Sequence, residues 1–134
     1  MTRKERYQFF ISYFSQNQPE AETELKYRNP FELLVAVVLS AQCTDKRVNI
    51  VTESLFKEFP TASAMAASNF DELFPYIRSI SYPSNKTKHL LGLSNMLVLD
   101  FGAAIPLRIE DLLRMPGVGS KTANVIVSVL DQQP

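Results

Sequence analysis

At 134 residues the chain is one domain's worth of sequence, long enough to bury a sizeable core. Hydrophobic residues make up 46% and charged residues 21%, which excludes a low-complexity or disordered chain. Fourteen basic residues balance 14 acidic ones, which argues against a strongly basic nucleic-acid module while leaving a local basic patch open. The longest apolar run, Leu33 to Leu39, falls well short of the roughly 18–20 residues of a membrane span. The charged start Met1-Thr2-Arg3-Lys4-Glu5 lacks the apolar stretch of a secretory leader. A single cysteine, Cys43, excludes an internal disulfide framework and a multi-cysteine metal site within the chain. The expectation is a cytoplasmic protein with no membrane association.

Taken in order, the segments read as helices. The first runs from about Arg3 to Ser15, with Tyr7, Phe10, Ile11 and Phe14 on one face, and a polar connection follows from Pro19 to Lys26. Asn29-Pro30 marks a helix start, Asn as the cap and Pro at the first helical position. The helix it opens, Phe31 to Ala41, is apolar nearly all round and is expected at the centre of the fold. Thr44 caps the next, Asp45 to Phe59, where Val48, Val51, Leu55 and Phe59 line a stripe that Pro60 stops. Thr61 to Ala67 and Asn69 to Ile77 are two short helices, the second carrying Phe70, Leu73 and Phe74. Ser79 to Ser84 reads as a loop, followed by a longer helix from Lys86 to about Asp100 with Leu90, Leu93, Leu97 and Phe101 spaced for burial. Gly102 ends it. Pro106 and Arg108 lead into a short helix, Ile109 to Arg114. A tight turn, Met115 to Gly119, precedes the last helix, Ser120 to Leu130. With no internal repeat and no strand alternation, the fold class is all-α.

Chemistry concentrates in the segment from Leu112 to Ala123, a helix, a turn bracketed by two glycines, and a second helix. Gly117 and Gly119 permit positive φ and close approach of another molecule to the backbone. Val118 between them can plug the core. The free N–H groups at the start of the second helix form a site for an anion such as phosphate. Two other glycine motifs fail here. A P-loop needs lysine directly after its last glycine, where Ser120 stands, and a dinucleotide fingerprint needs Gly or Ala at Thr122; both also need a preceding strand. Taken as a bare Gly-x-Gly between helices, the turn is equally consistent with a structural cap.

The extended match from Leu112 to Val125, with Lys-Thr-Ala after the glycines, resembles the helix-hairpin-helix of the endonuclease III family of DNA glycosylases. Pro30-Phe31-Glu32-Leu33-Leu34 followed by Leu39-Ser40-Ala41-Gln42-Cys43-Thr44-Asp45 looks like a second block of that family. Ser79 to Lys86 is similar to its DNA-intercalating loop, although the family often has Gly-Leu-Tyr where this chain has Ser81-Tyr82-Pro83. The resemblance covers nearly the whole chain. It implies a six-helix barrel domain at residues 21–134, with the hairpin at about 109–130, and an extra N-terminal helix in residues 1–20.

The resemblance implies base-excision repair by a bifunctional glycosylase and abasic-site lyase. The substrate would be duplex DNA carrying an oxidised pyrimidine or an abasic site. Lys121 would be the nucleophile attacking the sugar C1′, expelling the base, forming a Schiff base and breaking the strand by β-elimination. The positive end of the helix and partial burial are both expected to disfavour its ammonium form. Gln42 would fill the space of a flipped nucleotide; its position at a helix end is also consistent with a simple cap. Ser81 and Tyr82 would meet the bases. Gly117, Val118, Gly119, Ser120 and Thr122 would hold a phosphate. Asp45 reads as an ordinary first-turn acid, Cys43 as a packing residue and His89 as a surface residue. The cluster of Asn85, Lys86 and Lys88 is either a solvated face or a phosphate contact.

The family also has a catalytic aspartate beyond the lysine and four further cysteines holding a 4Fe-4S cluster. The chain ends at Pro134, so neither is expected within it, and no cofactor or metal is expected here. Little or no turnover is expected from the chain alone. Residues 1–20 are expected to belong with the cluster domain, leaving an apolar face for a homodimer. Two other readings remain: a non-catalytic hairpin that only grips DNA, and a relative of the adenine-mispair glycosylases. That branch lacks the hairpin lysine and carries a glutamate where Ala36 stands.

Overall fold

The computed structural model describes residues 24–131. The helix expected over Arg3–Ser15, the division at residues 1–20 and the homodimer through that face lie outside the described residues. Among the described residues seven helices follow one another: α1 Pro30–Ser40, α2 Asp45–Glu58, α3 Ala62–Ala66, α4 Phe70–Ile77, α5 Pro83–Phe101, α6 Ile109–Leu112 and α7 Ser120–Asp131. No strand interrupts them among the described residues.

Local chemistry sets most of the starts. Asn29, Thr44, Thr61 and Asn69 each accept a backbone N–H from three residues ahead, at 2.9 to 3.1 Å, so four helices open on a side-chain cap. Pro30 then occupies the first position of α1, where its missing N–H costs nothing. Ahead of α1, Arg28 grips the buried Glu32 carboxylate through Nε and Nη2, at 3.1 and 2.8 Å, and donates its backbone N–H to the same side chain at 3.0 Å. This forked pairing lets a carboxylate lie inside the fold with its oxygens satisfied.

The centre is α1. Leu33, Leu34, Val35, Ala36 and Leu39 are fully buried, as its nearly all-round apolar sequence predicts. It packs against α2, α5 and α7, while α5 lies along α3 and α4. The expected stripes face inward: Val48, Val51 and Leu55 of α2, Leu73 of α4, and Leu90, Leu93 and Leu97 of α5 are buried. Each such aliphatic side chain contributes about 1.5–3 kcal/mol on burial.

Two boundaries differ from the sequence reading by more than one residue. The long helix α5 begins at Pro83, three residues before the expected Lys86, so the loop Ser79–Ser84 is shorter. Proline again takes the first helical position, and Thr87 Oγ1 donates back to the Pro83 carbonyl at 2.7 Å. The short helix expected to reach Arg114 stops at Leu112. Arg114 and Met115 donate instead to the Asp111 and Leu112 carbonyls at 3.2 and 3.1 Å, already in the turn.

Candidate functional site

The hairpin is α6, the turn and α7. Leu112, Met115 and Val118 are buried beneath it, and Ala123, Ile126, Val129 and Leu130 seat α7 on the core. Val118 is the plug expected between the glycines, and its N–H donates to the Met115 carbonyl at 3.2 Å. Of the two glycines, only Gly117 adopts a positive φ, +80°. Gly119 does not, and the expectation for it is corrected. Its role is space: nothing lies within 4 Å of where a Cβ would stand, so the backbone at the mouth of α7 is open. The first N–H groups of α7, at Ser120, Lys121 and Thr122, have no carbonyl four residues back within the helix to accept them.

Helix α5 is the platform for this turn. At Gly92 a Cβ would fall 2.7 Å from Pro116 Cγ, so the turn rests where α5 carries no side chain. At Gly117 a Cβ would fall 2.8 to 2.9 Å from Cβ, Cγ and Nδ1 of His89. His89, expected as a surface residue, is therefore half-buried against the hairpin. Arg114 closes the far end, ion-paired to Asp100 at 3.4 Å with its guanidinium 5.7 Å above the Phe101 ring.

Lys121 stands second in α7, exposed. The partial burial expected for it is not found. Ser120 is likewise exposed and Thr122 half-buried, so three successive side chains flank the open N–H groups.

The second cluster joins the other expected residues. Helix α1 ends at Ser40 with Ala41 as its cap, and the next residue, Gln42, takes a left-handed conformation with φ +56° and its side chain exposed. It lies one position past the cap. Tyr82, the residue before α5, is also left-handed, φ +52°, and 60% exposed. Left-handed backbone costs a non-glycine residue roughly 1–2 kcal/mol, so both tips are held against their own preference. What holds them is visible. Ser81 Oγ donates to the Gln42 carbonyl at 2.8 Å. Lys86 Nζ donates to the Leu39 carbonyl at 3.0 Å, to the Ala41 carbonyl and to Ser81 Oγ at 3.1 Å.

Lys86 was expected on a solvated or phosphate-touching face, and that reading is corrected: it is the one buried lysine among the described residues. Burial pushes its ammonium below the usual lysine range, with the nearby Cys43 thiol partly opposing the shift. A hydrogen bond from a charged donor is worth about 1.5–3 kcal/mol, so this network can outweigh the strain at the two tips. Cys43 packs half-buried against the core and Asp45 opens α2, as expected. Exposed cations at Lys46, Arg47, Arg78 and Lys88 flank the tips in sequence, a local basic supply within a chain of zero net charge. From Tyr82 to His89 is seven residues of α5 and its start, about 10 Å of axial rise, so one helix carries the tip cluster and the hairpin contact.

Because Gln42 is strained, Gln42→Gly is expected to leave folding stability unchanged or raise it by up to about 1 kcal/mol, although it discards a whole side chain. A thermal melt that fell by several degrees would mean that the side chain itself holds the turn.

The four-cysteine cluster implied by the resemblance does not fit these residues. The chain has one cysteine, and among the described residues no group of three or more His, Cys, Asp or Glu stands together as metal ligands do. Among the described residues no helix is long and apolar enough to cross a membrane.

Comparison with known proteins agrees with this geometry. The family model of the HhH-GPD superfamily base excision DNA repair proteins matches residues 35–132. Endonuclease III of Bacillus subtilis (strain 168) is 49% identical over 111 residues, 83% of this chain and 51% of that protein. Endonuclease III of Rickettsia felis is 42% identical over 121 residues, 90% of this chain and 57% of that one. The chain thus spans about half the length of these curated relatives. Among solved structures, a trapped endonuclease III–DNA covalent intermediate superimposes with a TM-score of 0.77 at 43% identity, covering 96% of this chain and 60% of that one. A thermostable thymine-DNA glycosylase shares the fold, with a TM-score of 0.75 at 17% identity. With the family model spanning most of its length and the hairpin in place, the chain belongs to the HhH-GPD superfamily of base excision DNA repair proteins and, within it, to the endonuclease III family.

Proposed function

We propose that this chain carries the glycosylase and abasic-site lyase half-site of a base-excision repair enzyme acting on duplex DNA with an oxidised pyrimidine or an abasic site. The observation that carries the reading is an exposed lysine on the first turn of a helix whose mouth is an open glycine. The open N–H groups of α7 take a DNA phosphate beside Gly117, Val118, Gly119, Ser120 and Thr122. Lys121, in its neutral form, attacks C1′ of the nucleotide set against the hairpin. The C1′–base bond breaks with its electron pair leaving on the base, which takes up a proton. Loss of the amine proton and ring opening give the Schiff base. Removal of a C2′ proton then expels the 3′ phosphate.

Gln42 fills the space the nucleotide vacates, and Tyr82 wedges against the neighbouring base, an aromatic face held out at 60% exposure. Two strained, exposed tips fixed side by side support this reading, since backbone strain persists where the surroundings hold it for a purpose. The solved relative captured in covalent union with DNA supports it from outside.

Borohydride trapping on a duplex with one abasic site tests the proposal, because it scores a single covalent step and needs no turnover. An adduct of chain and strand is expected. Binding of the duplex with no adduct would leave a hairpin that only grips DNA, the second reading that an open phosphate site also permits. Lys121 favours the lyase over an adenine-mispair relative, and release of adenine from a mispair without strand cleavage would reverse that choice.

A further inference from the structure

The Lys86 ammonium has three protons and meets three neutral oxygens: the carbonyls of Leu39 and Ala41 and the hydroxyl of Ser81. A helix end normally closes with a glycine or a local side chain. Here no glycine closes α1: Ser40 Oγ donates locally to the Val37 carbonyl at 2.7 Å, while the donor for the Leu39 carbonyl comes from a residue 47 positions past it. A local cap would satisfy the α1 carbonyls equally well. It would not touch Ser81, and so would not connect the turn after α1 to the turn before α5. Ser81 completes that connection by donating its own proton to the Gln42 carbonyl at 2.8 Å. The chain of bonds therefore runs from the end of α1, through Lys86 and Ser81, to the backbone of Gln42, and Tyr82 sits between Ser81 and the helix that carries Lys86.

We infer that Lys86 is a positioning residue, whose bonds to Leu39, Ala41 and Ser81 fix the Gln42 and Tyr82 tips relative to each other so that they engage one lesion as a unit. Lys86 itself is buried and reaches no ligand. The inference rests on the reading that Gln42 and Tyr82 enter the duplex. Its signature is coupling. Without Lys86 each tip still exists, but the two no longer arrive together, so the loss falls on discrimination of a lesion from intact DNA. Where Tyr82 is already gone there is little left to align.

The test is a double-mutant cycle on the full chain. Dissociation constants are measured for a duplex with one reduced abasic-site analogue and for the undamaged duplex of the same sequence, using the wild type, Lys86→Met, Tyr82→Ala and the double variant. Lys86→Met is expected to lower the preference for the abasic duplex about tenfold, and in the Tyr82→Ala background by less than about twofold. A tenfold loss in both backgrounds, or no loss in a folded Lys86→Met, overturns the inference; a purely structural lysine gives one of those results. Where Lys86→Met does not fold by circular dichroism, Ser81→Ala decides instead, since it breaks the link to Gln42 at a partly exposed hydroxyl. Its expected loss is about threefold and again not additive with Tyr82→Ala, and additivity overturns the inference there as well. A wild type with no preference for the abasic duplex removes the reading of the tips themselves and the inference with it. A wild type with that preference but additive losses removes the inference alone.

Discussion

Replacing Lys121 by glutamine is expected to abolish covalent capture of abasic-site DNA while leaving the protein folded. The amide matches most of the lysine's length but offers no nucleophilic electron pair, so the loss should be on the order of a thousandfold or more in adduct formed. Lys121 is exposed and the buried face of α7 is made by Ala123, Ile126, Val129 and Leu130. The melting curve should therefore stay within about 0.5 kcal/mol of the wild type. Lys121→Arg separates chemistry from charge. It keeps a cation at the mouth of the hairpin, and so most of the affinity for the duplex, yet cannot form a Schiff base. Capture surviving in Lys121→Gln would move the nucleophile to another exposed amine, Lys46 or Lys88 being the nearest in sequence to the tips, and would reject the assignment.

How much of this was legible in the sequence depends on how far apart the partners lie along the chain. The starts of α1 to α4 were readable because Asn29, Thr44, Thr61 and Asn69 are cap residues acting on N–H groups three positions ahead. The start of α5 was not, although Pro83 stands in α5 where Pro30 stands in α1. Its preceding residue is Tyr82, which caps nothing and holds a left-handed φ that no local preference of tyrosine announces. The hairpin was legible as a motif spanning a few residues, and Val118 is the plug that the motif suggests. The different duties of its two glycines were not, because they are set by α5. His89 lies 28 positions before Gly117 and Gly92 lies 24 before Pro116, and nothing local links them. Lys86 is the extreme case. Its place in a run with Asn85 and Lys88 reads as a solvated face, and only the fold brings the end of α1 within reach of its amine.

The two glycines of the hairpin should fail in opposite ways when each becomes alanine. At Gly117 the new methyl meets two penalties: a φ of +80°, outside the range alanine adopts readily, and overlap with His89 at 2.8 to 2.9 Å. The expected loss of folding stability is about 2–4 kcal/mol. Only a small part of it should return in a Gly117→Ala, His89→Ala double variant, which removes the overlap with Cγ and Nδ1 but keeps the Cβ of residue 89 at 2.8 Å and the strained φ, leaving a cost above about 1–2 kcal/mol. At Gly119 the methyl enters open space and the backbone needs no special φ, so stability should fall by no more than about 1 kcal/mol, the difference between glycine and alanine beside a helix start. That same methyl stands at the mouth of α7, where a phosphate must come within hydrogen-bond distance of the first N–H groups. Gly119→Ala is therefore expected to weaken binding of any duplex, damaged or not, by about tenfold or more, since the phosphate contact positions the strand without reading its sequence. Thermal unfolding and duplex affinity, measured on both variants, make the distinction. Equal affinity in Gly119→Ala and wild type would mean that DNA does not approach the hairpin backbone. A Gly117→Ala protein as stable as wild type would mean that His89 yields freely and that α5 is not the rigid platform on which the turn is set.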